Sequence, residues 1–209
     1  MKKNTKQIIL DRSLELFSIK GYDGVSVKEI ANAVGIKDSS LYKHYSSKQE
    51  IFDSLIEQVD ERFEQYIAAY KLPQGSIEKI AVEYGENNFE NLKKAVEAVF
   101  EFFMKDEEAV QFRRLVTIEQ MKNQKASKSF KSWFLDDAID FQTKLITELM
   151  DKGYLIKEDA SLLALQFYAP FYTLLIKYDG YPDKYEEALN KLRAHIDLFV
   201  SMYKKEKDD

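Results

Sequence analysis

The chain has 209 residues, enough for one large or two small domains, with 45% hydrophobic and 13% aromatic residues and a formal net charge of −5. It has no cysteine, which excludes a disulfide framework and a thiolate metal site and fits a reducing cytosol. No run approaches the ~20 apolar residues that span a bilayer, and Ile8-Ile9-Leu10 is too short for a signal peptide, so a soluble, cytoplasmic protein is expected.

The N-terminal elements carry the strongest pattern. Lys2, Lys3 and Lys6 form a basic arm, suited either to tracking phosphates or to solubilising a terminus. Ser26 and Glu29 have the S-x-x-E spacing of a capping box. Val27, Ile30, Ala31 and Val34 recur at the spacing of one buried helical face, and Gly35 follows as a left-handed C-terminal stop. The next helix, expected over 37–43, is short and polar, with Ile36, Leu41 and Tyr45 as its buried anchors. Ser47 and Glu50 then spell a second capping box. Two short helices joined by a glycine turn, the second with a polar outer face, fit a DNA major groove. Charge agrees: the first fifty residues hold nine Lys/Arg against six Asp/Glu, and the remainder twenty-two against thirty. A basic module ahead of an acidic body can bind phosphate if the body faces away.

Beyond residue 50 the pattern is helix after helix. Ile51, Leu55, Val59, Phe63, Tyr66 and Tyr70 define a long amphipathic helix, ended by the breaker Leu72-Pro73-Gln74-Gly75. Further helices are expected over about 76–89, with an interruption at Gly85, then 92–104 and 107–123, the last ended by the polar run NQKASKS. Three more follow over about 130–152, 159–178 and 183–205, with Pro170 inside the second of them. Strand-type alternation is absent. The fold class is all-α, divided into a helix-turn-helix domain over 1–48 and a helical domain over 49–209.

The run from Ile30 to Glu50, I-A-x-x-x-G-I-x-x-x-x-L-Y-x-H-Y-x-S-K-x-E, resembles the signature of the TetR family of transcriptional regulators. Ile9, Ser13, Leu16, Phe17 and Gly21-Tyr22 agree with that family's first helix and its terminal turn. Geometry and resemblance together give the module its expected DNA contacts. Ser26 would offer its hydroxyl to a phosphate at a helix N-terminus, besides capping that helix. Lys37 and Lys43 would donate to guanine edges, and Ser39 and Ser40 to base edges or phosphates. Tyr42 would pack its ring on the module and extend its hydroxyl to the DNA backbone. His44 is expected at a phosphate rather than as a buried structural histidine, and the family's Ser-Lys position implies a phosphate contact for Lys48. Lys37 and Ser39 depart from the small residues common at these positions, so individual base contacts do not carry over.

The resemblance further implies a C-terminal domain that encloses an effector pocket and forms a homodimer. Clustered aromatics supply the candidates Phe100, Phe103, Phe112, Trp133, Phe167, Tyr168 and Phe171; the ordinary reading of such rings is simply core. A largely apolar ligand, with a cationic part stacked on the rings, would suit them. The dimer would form through the last two helices, with Leu162, Leu165, Ala169 and Leu174 on one and Leu189, Leu192, Ile196 and Phe199 on the other; these residues serve an intra-chain core equally well. The expected function is a non-enzymatic, operator-binding regulator, a repressor released from a palindromic site by a small effector, with no cofactor and no metal. Two alternatives stand beside it. One is an all-α adaptor or ligand-binding protein without DNA binding. The other is a magnesium-dependent prenyl diphosphate enzyme using the D-D-x-x-D run Asp136-Asp137-Ala138-Ile139-Asp140, for which a solvated acidic helix face is the ordinary explanation.

Overall fold

A computed structural model describes residues 4–69 and 75–206. The arm residues Lys2 and Lys3, Tyr70 and the breaker up to Gln74 lie outside these. Among the described residues the chain forms α1 (Thr5–Lys20), α2 (Val27–Val34), α3 (Asp38–Leu41), α4 (Lys48–Ala69), α5 (Ile77–Glu86), α6 (Glu90–Lys105), α7 (Glu107–Glu119), α8 (Gln124–Lys131), α9 (Asp137–Asp151), α10 (Ala160–Lys177) and α11 (Tyr185–Tyr203). No strand forms among them, only one isolated antiparallel bridge between Leu155 and Lys204. The fold is all-α.

Three expectations about elements change. The helix after the glycine turn is only Asp38–Leu41, and residues 42–44 continue as turns. Gly85 does not interrupt α5; it sits where the Tyr154 ring packs on the backbone, 2.3 Å from where a Cβ would stand. The polar run at 123–129 is not a break. Asn123 Oδ1 accepts the Lys125 and Ala126 amides at 2.9 and 3.1 Å and starts α8. α8 then passes through a π-helical turn, Ser132–Asp136, into α9.

Packing divides the chain into two compact units, Met1–Gln65 with Asp106–Phe130, and Tyr66–Lys105 with Lys131–Asp209. This division follows contacts and differs from a boundary at residue 48, which marks where the helix-turn-helix pattern ends. The first unit is built on Ile9, Leu14, Phe17, Ile30, Leu41, Tyr45, Ile51, Phe52 and Leu55, all at most 1% exposed, and on Phe112 and Leu115 of α7. α7 lies along α1, and Arg62 of α4 grips Asp106, the N-cap of α7, with its Nε at 2.8 Å. The second unit buries Phe100, Phe102, Phe134, Leu145, Leu175, Leu192 and Ile196 among α6, α9, α10 and α11.

Candidate nucleic-acid interface

The start of α2 is fixed by local chemistry. Ser26 Oγ accepts the Glu29 amide at 3.2 Å, and Glu29 Oε2 accepts the Ser26 amide at 2.8 Å and its hydroxyl at 2.9 Å. The capping box is therefore complete. The Ser26 amide, then Lys20 and the Ser26 hydroxyl, bring the Glu29 carboxyl down to about 2. Because the Ser26 hydroxyl already donates to Glu29, a phosphate there competes with an existing hydrogen bond.

α2 ends at Gly35, whose φ of +77° is the left-handed conformation, with Ile36 N–H on the Ala31 carbonyl at 3.0 Å. Nothing lies within 4 Å of a Cβ built there, so backbone conformation alone selects glycine. The chain turns into α3, anchored below by Leu41 and Tyr45, at 0% and 1% exposed. Burial pushes the Tyr45 hydroxyl up to about 12.

On the other side of this anchor stand the candidate contact residues. Lys37, Ser39, Tyr42 and Lys43 are exposed, and Ser40 and His44 half-buried. Among the described residues no ion pair or side-chain hydrogen bond engages Lys37, Ser39, Ser40, Tyr42 or Lys43. Lys37 is the N-cap of α3 without a side-chain cap bond. Five polar side chains over seven residues, on α3 and the turns that flank it, are thus left unengaged above buried Leu41 and Tyr45.

Lys48 is placed differently. Its ammonium donates to the Tyr22 carbonyl at 2.8 Å and the Val25 carbonyl at 2.9 Å, and lies 4.1 Å from the Tyr22 ring centroid. The same turn is held from α7: Glu119, 2% exposed, accepts the Tyr22 amide at 3.0 Å. Lys48 is thus a structural clamp on the α1–α2 turn, which sequence reasoning missed along with Glu119. The second capping box is also displaced. Ser47 Oγ accepts the Glu50 amide at 3.0 Å, but the Glu50 carboxylate reaches Ser46, whose amide and hydroxyl donate at 2.6 and 2.7 Å. The Ser46 hydroxyl, then its amide, hold the Glu50 carboxyl below its ordinary range.

The effector candidates separate. Phe112 belongs to the first compact unit; the other six belong to the second. There, Phe100 meets Phe171 at 5.6 Å between centroids, Phe103 meets Trp133 at 5.8 Å, and Tyr168 stacks on Phe171 at 5.6 Å. The Tyr168 hydroxyl, raised well above its ordinary range by burial, donates to the Phe134 carbonyl of the π turn at 3.0 Å. Phe167 packs on Phe199 at 4.8 Å. These rings pack on one another.

Of the expected dimer residues, Leu162, Leu165 and Ala169 are exposed on α10, whereas Leu174 is buried. On α11 the assignment changes: Leu189, Leu192, Ile196 and Phe199 are core, and the open stripe is Ala194, Leu198 and Met202. Among the described residues no group of three His, Asp or Glu side chains is arranged to hold a metal, and Asp137 is bonded to the Ser132 hydroxyl. Among the same residues no helix is long and apolar enough to cross a membrane.

Residues 9–55 match the model of the bacterial regulatory proteins of the tetR family. Over 52 residues, a quarter of the chain, the sequence is 46% identical to IcaR of Staphylococcus epidermidis, the negative transcriptional regulator of the biofilm operon icaADBC. That match spans 28% of the relative's length. Solved structures are similar over nearly the whole chain. A TetR-like regulator from Rhodococcus sp. RHA1 has a TM-score of 0.68 at 22% identity, covering 94% of this chain and 96% of that one. SmeT of Stenotrophomonas maltophilia, in its triclosan complex, has a TM-score of 0.65 at 17% identity, covering 98% and 93%. At these identities the likeness establishes the fold alone.

Proposed function

We propose that this chain, which belongs to the TetR family of bacterial transcriptional regulators, binds a palindromic operator as a homodimer. A small, largely apolar effector in the second unit would then release the DNA. The observation that carries the reading is the unengaged polar set Lys37, Ser39, Ser40, Tyr42 and Lys43, on α3 and its flanking turns, anchored by Leu41 and Tyr45. A rigid helix with free donors is what direct readout of base edges requires. His44 and Ser26 would flank it at phosphates. Lys48 would act mainly by fixing the turn ahead of α2, leaving one ammonium N–H for DNA.

Repression is supported by the likeness of a 52-residue stretch to a negative regulator. Effector binding is supported by a fold neighbour captured with triclosan. One module makes too few contacts for useful specificity, so two would act on half-sites about one helical turn apart. The open apolar stripes of α10 and α11 are the proposed interface. An effector that favours one state by ~1–3 kcal/mol would suffice for such a switch.

The test is binding to a duplex selected from random sequence, and to the DNA upstream of the protein's own gene, across a salt series. Selective binding with a steep salt slope is expected, and replacing Lys43 by Ala should weaken binding and relax selectivity at one base position. Binding indifferent to sequence, and unchanged by replacing Tyr42 and Lys43 together by Ala, would leave the adaptor reading in its place.

A further inference from the structure

Two spaces in the second compact unit are both lined by Phe89. The inner space is a cavity of about 10 Å³ lined by Phe89, Leu92, Leu145, Leu149 and Phe167 among others, with Gln142 as its one polar side chain. The outer one is a groove of about 780 Å³, bordered by Phe89, Tyr154, Lys152, Lys204 and Lys205 and by Glu86 and Glu206. Phe89 is 4% exposed and stands between α5 and α6 at φ +66°, directly after Asn88 at φ +52°. Left-handed backbone is rare for a bulky aromatic, and such strain collects where a ligand is clamped or a segment switches.

The cavity wall carries a second anomaly. Gln142 Oε1 is buried without a hydrogen-bond partner, an uncommon state for a buried acceptor. Water is a poor solution, because a buried water needs two to four polar partners and this wall offers one amide. An apolar chain suits the rest of this wall, and the Gln142 acceptor opposes it at the far end. The groove's rim carries Lys152, which pairs with Glu148 at 3.7 Å, Lys204, which donates to Asn88 Oδ1, and Lys205, which has no side-chain partner among the described residues.

We infer that the groove and cavity together form a binding site for a single-chain amphiphile, its anionic head among Lys152, Lys204 and Lys205 and its apolar chain passing Phe89 towards Gln142. This deepens the effector reading and rests on it for its regulatory meaning. It moves the ligand away from the ring cluster of Phe100, Phe103 and Phe171, and it reverses the sign of the charged group expected from the sequence. Phe89 swings out to admit the chain, which enlarges a cavity too small for a chain as it stands.

The experiment is calorimetric titration of the full-length protein with octanoate, decanoate and dodecanoate below their micellar concentrations, with decyltrimethylammonium as the cationic control. Affinity should rise roughly tenfold for each two methylenes, because each enters an apolar cavity. The cation should bind far more weakly. Replacing Lys152 and Lys205 together by Glu should weaken decanoate about tenfold. Phe89→Gly suits the positive φ and opens the wall, so it should tighten decanoate; Phe89→Leu, which keeps an apolar side chain, serves if the glycine variant loses its fold. Gln142→Leu removes the orphan acceptor and should tighten a plain chain several-fold.

Affinity independent of chain length, equal binding of the cation, or folded Phe89 and Gln142 variants that bind as the parent does would each overturn the site. Added decanoate that binds here yet leaves affinity for the selected duplex unchanged would keep the site and remove its role as the switch. Failure of decanoate to bind would remove the site while leaving the operator reading intact.

Discussion

At the scale of residues, the α1–α2 turn is held from two other helices, α4 and α7. The Tyr22 peptide is held on both sides, its carbonyl by Lys48 and its amide by Glu119. Gly21, at φ +74°, comes so close that a Cβ would stand 2.4 Å from Glu119 Oε1. Glu119→Ala should lower stability by about 1–3 kcal/mol, because it strands a half-buried amide. Gly21→Ala should cost at least as much, through both conformation and clash. The double variant should lose less than the sum, since removing the carboxylate removes the clash; a denaturation cycle that shows strict additivity would contradict this contact. Lys48→Met should also destabilise, by about 1.5–3 kcal/mol, since it deletes two charge-assisted bonds. Lys43→Ala, on an unengaged side chain, should change stability by less than about 0.5 kcal/mol. Urea titrations of the two variants separate a clamp from a free surface residue before any DNA is added. The Ser26–Glu29 box was legible in the sequence because both partners lie within one helical turn. The Glu119–Tyr22 bond was not, because 97 residues separate its partners and nothing local to either announces the other.

At the scale of elements, α2 depends on its capping box, and that dependence has a pH signature. The folded Glu29 carboxyl titrates at about 2, below its ordinary value of 4.5. A depressed carboxyl contributes stability that is complete above its unfolded value and declines as pH falls towards the folded one. The contribution is therefore full above about pH 5 and fades between there and pH 2. The Glu29 side-chain carbon, followed by NMR through an acid titration, should report a midpoint near 2 in the folded protein, and a midpoint near 4.5 would mean the box is open in solution. Ser26→Ala should cost about 1 kcal/mol as a lost N-cap. The glycine stop and apolar face made α2 readable, whereas α8 was hidden by its polar composition. Its start depends on Asn123 acting as an N-cap, a role that turn-forming asparagine shares with loops. The π turn that joins α8 to α9 has no periodic signal in the sequence, and its Phe134 carbonyl accepts from Tyr168, 34 residues away.

At the scale of the whole molecule, the two C-terminal helices show why an interface is harder to read than a core. Leu189, Leu192, Ile196 and Phe199 form the stronger apolar stripe of α11, and that stripe went to the chain's own interior. Intra-chain burial takes the most hydrophobic face first, so a helix with two apolar faces offers the weaker one to a partner. What remains open is Leu162 at 64%, Leu165 at 50%, Leu198 at 59% and Met202 at 52% exposed. Leu162, Leu165, Ala169 and Ile176 recur at helical spacing, so the open residues of α10 form a stripe rather than isolated apolar positions. Monomers seldom leave such surfaces uncovered, which is the physical case for a second copy. Leu165→Glu or Leu198→Glu places a charge on this surface without touching the core, so each should give a folded monomer with near-parental thermal stability of the single chain. Leu192→Ala, by contrast, excavates the core and should cost about 2–5 kcal/mol. Sedimentation at micromolar concentration distinguishes them. A parent protein that sediments as a monomer would remove the dimer, and with it the two-fold pairing in the proposed operator recognition. A parent dimer that persists in both glutamate variants would place the interface elsewhere on the chain.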